Sequence, residues 1–416
     1  MGLNDTPSGE RVHIGIFGRR NAGKSSLLNA VTGQSLAVVS HIKGTTTDPV
    51  SKSMELLPLG PVVFIDTPGL DDSGTLGELR VKKSFQALHK TDIGILAVDG
   101  AMLLGEGKES YEKIEKPLLE EFEKRNIPYL IAVNKEELLL QQEKEEVALL
   151  IGKRDKIIFV SAKNGTKIHE LKDRLASFKQ GEPGVGKLVG DLLLPGDLAV
   201  LVVPVDSAAP KGRLILPQQQ VIRDCLEAGA VPVITRETEL KSTLDSLGKR
   251  PRLVITDSQA FREVEKIIPK DMFLTSFSIL LARYKGNLKS QVQGARTLDF
   301  LKEGDKVLIS ESCTHHRQCG DIGTVKLPKW LREYTKNNLD LTFTSGTEFP
   351  QDLSGYALVI HCGGCMINER EMKYRLECAE KAGVPMTNYG MTIAHIHGIL
   401  ERSLEIFHDR ENVNKI

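Results

Sequence analysis

The sequence predicts an α/β protein of three domains with largely parallel sheets, and three observations support this. Short apolar runs rich in Val, Ile and Leu recur along the chain, among them Val62-Val63-Phe64-Ile65, Leu198-Ala199-Val200-Leu201-Val202-Val203 and Tyr356-Ala357-Leu358-Val359-Ile360. Continuous runs of this kind read as strands buried on both faces of a parallel sheet. Amphipathic stretches of helical length separate them, the alternation that βαβ units require. The residues able to do chemistry follow the ends of these runs, and open α/β sheets gather ligands beyond the carboxyl ends of their strands. A chain of 416 residues has room for about two to four domains. We divide it at 1–179, 180–270 and 271–416.

Composition narrows the function classes. Fifty-five basic residues balance 55 acidic ones, which argues against broad electrostatic binding to nucleic acid or to an anionic membrane. Six cysteines in a chain of this length do not make a disulfide scaffold, so a reducing cytoplasm is expected. The opening residues Met1-Gly2-Leu3-Asn4-Asp5-Thr6 lack a signal-peptide core. No run approaches the roughly 20 apolar residues of a membrane span.

The first domain carries a complete nucleotide constellation. A strand over Val12 to Phe17 runs into Gly18-Arg19-Arg20-Asn21-Ala22-Gly23-Lys24-Ser25, with a helix pattern from Ser26 onward. This is the GxxxxGKS phosphate loop in its strand–loop–helix context. Its glycines let backbone N–H groups, those of Ala22 and Gly23 among them, face the phosphates at the positive end of the helix. Lys24 would reach the β- and γ-phosphates and Ser25 would hold Mg2+. The polar loop Gly44-Thr45-Thr46-Thr47-Asp48 stands where a first switch belongs, with Thr46 placed to complete Mg2+ coordination and Thr45 beside it. Val62 to Ile65 leads into Asp66-Thr67-Pro68-Gly69, where Asp66 would bind Mg2+ through water and the Gly69 amide would touch the γ-phosphate. The strand ending at Val133 delivers Asn134-Lys135-Glu136-Glu137 to the base, and Ser161-Ala162-Lys163 would back it.

This set resembles the TrmE/Era group of translation-factor-like GTPases and makes the first domain a P-loop GTPase domain. The group writes NKxD where this chain has Glu137, so guanine would be read by the same carboxylate fork on a longer arm. Leu70 occupies the place where Ras-like proteins carry a water-orienting glutamine, which implies slow intrinsic hydrolysis. The resemblance makes Asn21 a K+ ligand beside the phosphates. Its alternative is an Asn that merely shapes the loop. Glu78 falls where the group has a water-positioning glutamate, and reads here as a solvated helix-surface residue.

Gln180-Gly181-Glu182-Pro183-Gly184-Val185-Gly186 is a linker by composition. The strands and helices after it carry no phosphate loop and no catalytic constellation, which makes the second domain a candidate assembly surface. Cys225 reads as core.

The third domain places Cys313-Thr314-His315 after the run Lys306 to Ser310, and His361-Cys362-Gly363-Gly364-Cys365 after the run Tyr356 to Ile360. Three thiols and two imidazoles are thereby expected at one site. CxxC has metal-ligand spacing, and its glycines let the backbone wrap closely. An iron–sulfur cluster, a structural zinc held by Cys3His, and a redox pair all fit these residue types. Cys319 and Cys378 read as bystanders, and His395 and His397 stand two apart on a helix, too poorly aligned to share a metal.

Taken over its full length, the chain resembles the HydF family of FeFe-hydrogenase maturation GTPases. The resemblance implies that Cys313, Cys362 and Cys365 bind a 4Fe-4S cluster, with His315 or His361 as a possible fourth ligand. It implies a scaffold or carrier that receives a diiron subcluster precursor from the radical-SAM maturases HydE and HydG and delivers it to apo FeFe-hydrogenase. A homodimer built on the second domain is also implied. The alternative is a TrmE/Era-type GTPase of RNA or ribosome maturation with structural zinc; a KH GxxG signature and a concentrated basic face are missing for it. If Asn21 holds K+, Asn21→Ala should abolish the stimulation of GTP hydrolysis by K+ over Na+, and an unchanged K+ response would refute that role.

Overall fold

A computed structural model describes residues 6, 8–33, 50–71, 83–178, 188–205, 214–312, 321–346 and 348–413. The chain forms two compact units, Met1–Glu182 and Pro183–Ile416. Among the described residues no helix is long and apolar enough to cross a membrane.

The first unit holds a six-stranded sheet of β1 (Val12–Phe17), β2 (Val50–Leu56), β3 (Gly60–Asp66), β4 (Ile93–Asp99), β5 (Tyr129–Asn134) and β6 (Ile157–Phe159), in the order β2-β3-β1-β4-β5-β6. Every pair is parallel except β2 with β3. The apolar runs alternate their side chains across the sheet. Ile14, Ile16, Phe64 and Ile95 pack on one face, with Leu27 and Leu28 of the helix Lys24–Thr32. Phe17, Leu96, Val98 and Ile131 pack on the other, with Phe122. β1 lies between β3 and β4, so the order reverses beside it and a crevice opens at its carboxyl end.

The second unit holds two four-stranded, wholly parallel sheets. One consists of β7 (Leu198–Val202), β8 (Val231–Thr235), β9 (Leu253–Thr256) and β10 (Phe273–Ser276), in the order β10-β9-β7-β8. The other consists of β11 (Lys306–Ser310), β12 (Asp340–Thr344), β13 (Leu358–His361) and β14 (Met386–Asn388), in the order β12-β11-β13-β14. Tyr356 and Ala357 lead into β13 rather than joining it.

The expected boundary after residue 270 needs correction. β10 pairs with β9, with Leu274 opposite Val254, so the segment from 273 to 276 completes the earlier sheet. The two sheets also share a core. Val200, Val254 and Leu274 of the first pack with Met391, Ile399 and Leu404 near the C-terminus. No apolar seam therefore separates the second domain from the third, and the last helix, Leu400–Val413, returns to a strand formed far earlier in the chain.

A large-to-small change at that seam should destabilise both sheets together. Met391 is fully buried. Met391→Ala should cost about 2–5 kcal/mol, measured by denaturant unfolding of the full chain. Secondary-structure loss from the whole second unit should follow one shifted transition.

Candidate functional site

The phosphate loop occupies the crevice at the end of β1. Gly23 caps the helix Lys24–Thr32 with φ 85°, and Asn21 also sits in the left-handed region, at φ 62°. Gly18 passes so close to β4 that a Cβ there would lie 2.2 Å from the Ala97 carbonyl oxygen. At Gly23 a Cβ would lie 2.2 Å from Asn134 Nδ2. That amide donates to the Ala22 carbonyl at 3.1 Å, while Asn134 Oδ1 accepts from the Ala162 amide at 3.0 Å. Asn134 therefore ties the phosphate loop to the Ser161-Ala162-Lys163 turn. Ser161 is buried and accepts from the Asn164 amide at 3.0 Å, whereas Lys163 is exposed. Lys135 donates to Asp99 at 2.5 Å, and Glu137 is exposed on the following turn.

Lys24 is folded back on its own loop, with Nζ donating to the carbonyls of Gly18 at 3.0 Å and Arg19 at 2.7 Å. Ser26 follows Ser25 in the first turn of the helix, half-buried. Ser25 Oγ donates to Asp66 Oδ2 at 2.5 Å. Asp66 Oδ1 is buried with no protein partner among the described residues. Burial raises the Asp66 carboxyl above its usual range, against the lowering effects of Ser25, Lys24 and Lys52. A hydroxyl beside an orphaned, desolvated carboxylate oxygen fits a hard oxygen-seeking dication. Ser25 and Asp66 are thus the side chains that would hold Mg2+, which on binding would neutralise phosphate charge. Gly69 is buried, and a Cβ there would stand 3.0 Å from the Arg20 amide nitrogen. Leu70 packs against the apolar core on one side of the sheet. Thr45, Thr46 and Glu78 lie outside the described residues.

Sequence reasoning missed one anchor of the phosphate loop. Arg19 is buried and forms a fork with Glu115, Nε to Oε1 at 2.5 Å and Nη2 to Oε2 at 2.6 Å, and also pairs with Glu106. Nothing in the loop motif specifies a partner 96 residues away.

The cysteine loop lies where the order of the other parallel sheet reverses, between β11 and β13. Ser310 and His361 are register partners, so the two strands end level with each other. The chain leaving β11 then reaches the loop leaving β13: the Ser312 amide donates to Cys362 Sγ at 3.1 Å, and the Ser312 hydroxyl lies 3.1 Å from the same sulfur. Burial pushes the Cys362 thiol up, but His361 and the two Ser312 contacts outweigh it and bring the thiol down to about 6. Burial pushes Cys365 the other way, up to about 11, with Cys362 adding to the rise and Lys285 opposing it. Cys313 and His315 lie outside the described residues, as does Cys319. Ser312 is the described residue that immediately precedes Cys313, and it touches the Cys362 sulfur.

His361, expected as a possible fourth ligand, has a neighbour at each ring nitrogen. Its Nδ1 lies 2.7 Å from the Cys362 carbonyl oxygen and its Nε2 lies 3.0 Å from Arg375. A guanidinium can only donate, so Nε2 accepts and Nδ1 carries the proton. Both ring nitrogens are engaged, and the imidazole positions the loop. Arg375 is itself fully buried, donating to Glu371 at 2.9 and 3.0 Å and to the Gly346 carbonyl at 2.9 Å. Lys285, also buried, reaches the loop from the helix Phe277–Lys285. The remaining candidates separate as expected from their neighbours. Cys225 is core, its thiol pushed up to about 12 by burial and then by Asp224. Cys378 packs beside the apolar core on one face of the cysteine-bearing sheet. His395 pairs with Asp299 at 2.9 Å, while His397 faces Trp330.

Fold and site together define a phosphate-loop GTPase domain joined to a two-sheet α/β unit that carries a cysteine loop. Residues 13–135 match the description "50S ribosome-binding GTPase", residues 188–286 "Hydrogen maturase F dimerization domain", and residues 289–406 "Hydrogen maturase F tetramerization domain". The chain belongs to the hydrogen maturase F family. Curated relatives include GTPase Der of Wolinella succinogenes, 31% identical over 182 residues, covering 42% of this chain and 36% of that protein. They also include the tRNA modification GTPase MnmE of Flavobacterium johnsoniae, 31% identical over 169 residues, covering 40% of this chain and 35% of that protein. The chain thus spans about a third of the length of these relatives. Among solved structures, Era of Aquifex aeolicus bound to GDP and AlF4- aligns at 19% identity with a TM-score of 0.35, covering 54% of this chain and 93% of that one.

Gly23 offers a direct test of the nucleotide site. Gly23→Ala puts a Cβ against Asn134 at a left-handed position. The strain, about 1–3 kcal/mol, should weaken binding of a fluorescent GDP analogue on the order of ten- to hundredfold. Gly105→Ala, in open space within the helix Gly100–Ile114, should leave that affinity unchanged.

Proposed function

We propose that this protein is a GTP-hydrolysing scaffold of FeFe-hydrogenase maturation. Cys313, Cys362 and Cys365 hold a 4Fe-4S cluster, and a diiron subcluster precursor is the cargo. The observation that carries this reading is the contact of Ser312 with the Cys362 sulfur at the reversal of sheet order. It brings the residue next to Cys313 against the CxxC loop, and supplies the N–H···S contact that stabilises a negatively charged sulfur. A cluster held by three thiolates keeps one exchangeable position, which suits a carrier that must take up and release an iron unit. The cargo comes from the radical-SAM maturases HydE and HydG and goes to apo FeFe-hydrogenase in the cytoplasm.

The GTPase domain serves as the switch. Lys24, Ser25, Asp66 and Gly69, with Thr46, bind the phosphates and Mg2+, Asn21 holds K+, and Asn134, Lys135 and Glu137 read guanine. Two chains pair through the sheet that carries β8. That strand is an edge whose Val231 and Ile234 are each about half exposed, at 47% and 49%, and it lies within the residues matched by the dimerization description.

Anaerobic reconstitution of the full chain tests the reading. The native chain should take up roughly four irons. Alanine at Cys313, Cys362 or Cys365 should remove most of that iron and keep GTP turnover. Lys24→Ala should do the reverse. A Cys362→Ala protein with a full complement of iron would sink the assignment, and a colourless native chain holding one zinc would replace it with a structural metal.

A further inference from the structure

Three carbonyl oxygens of the cysteine loop converge on one ammonium group. Lys285 Nζ donates to the carbonyls of Gly364 at 3.1 Å, Cys365 at 3.4 Å and Ile367 at 2.8 Å. Lys285 is only 2% exposed, although lysine is almost never fully buried without partners. It ends the helix Phe277–Lys285, where a cation also meets the negative end of the helix dipole. The loop is shaped to reach it. Gly364 sits at φ 67°, a left-handed position in which any other L residue would be strained.

The orientation of these peptides matters for the sulfurs. In a trans peptide the C=O and the following N–H point in opposite directions. Carbonyls of Gly364 and Cys365 held on Lys285 therefore aim the N–H groups of Cys365 and Met366 away from it. One buried cation thus fixes the two peptides that flank Cys365 and adds its own positive charge behind them.

We propose that Lys285 is a positioning residue for the iron–sulfur site: it locks the Cys362–Cys365 loop in its ligating shape and favours the reduced, more negative state of the bound cluster. This rests on the reading of the cysteines as cluster ligands. The role is electrostatic and mechanical, and Lys285 contributes no ligand itself. Lys285 falls in the residues matched by the dimerization description, and the loop falls in those matched by the tetramerization description. The contact consequently makes the shape of the site depend on the neighbouring sheet.

Lys285→Met and Lys285→Gln separate the two effects in the full chain, reconstituted anaerobically with iron and sulfide. Both remove the charge, so both should move the reduction midpoint, followed by EPR-monitored titration, to more negative potential. Methionine also removes the donors, so loss of iron to a chelator should accelerate on the order of tenfold. Glutamine keeps a donor amide and should release iron at close to the native rate. Lys285→Arg should restore the native midpoint. GTP turnover should be unchanged in all three. If the methionine variant does not fold, the glutamine midpoint decides alone. Native midpoints in both charge-removing variants would overturn the inference while leaving the cluster reading intact. A native chain that takes up no iron would overturn the cluster reading and this inference with it.

Discussion

The register between β11 and β13 is the constraint on which the cysteine site depends. Ser310 lies opposite His361, so two parallel strands stop at the same level, and the sheet order sends their loops to opposite sides. A slip of one residue would turn every side chain of a strand to the other face and would carry Ser312 away from the Cys362 sulfur. The register is held by packing: Val307 and Leu358 fill the core on one face, Leu308 and Val359 the core on the other, and a slip would exchange the two sets. The same logic positions the phosphate loop, where β1 between β3 and β4 opens the crevice that the Lys24–Thr32 helix faces. Both sites are products of parallel topology, built from different residues.

Charge is placed differently in the two sites. Around the phosphate loop, the desolvated Asp66 carboxylate takes the Ser25 hydroxyl and feels Lys24 and Lys52, and the Lys24 ammonium rests on two carbonyls of its own loop. Around the cysteine loop, the cations are already committed. Arg375 is spent on Glu371, Gly346 and His361, and Lys285 on three carbonyls. Such arrangements fix geometry before a ligand arrives, which lowers the cost of organising the site on binding. Removing one member would strand the other in a dry interior, where an uncompensated charge is expensive.

Much of this was legible in the sequence wherever chemistry and chain run together. The phosphate loop, Asp66-Thr67-Pro68-Gly69, Asn134-Lys135 and the CxxC are contiguous, and the apolar runs before them identify strands without reference to anything distant. What escaped was tertiary. Lys285 stands 79 residues from Gly364, and Arg19 stands 96 from Glu115, so no local spacing reveals either pair. His361 was legible as a residue of the site, but its contact with Arg375 on a separate helix was not. The misplaced boundary has a similar cause. Phe273–Ser276 is short and follows Pro269-Lys270-Asp271-Met272, a turn-like stretch that looks like a linker but leads straight into the last strand of the same sheet.

The outer flank of β8, an edge among the described strands, has a consequence for handling the molecule. An edge among the described strands, with Val231 and Ile234 half exposed, is a template for any extended chain that meets it. Where it pairs with a symmetric copy, as proposed, the flank is consumed. At low protein concentration, or in a preparation where pairing is disturbed, the same flank is open to promiscuous strand addition, and solubility then becomes a matter of stoichiometry. Pro232 blunts this hazard, since it removes one amide from the row and breaks the continuity that a growing aggregate needs.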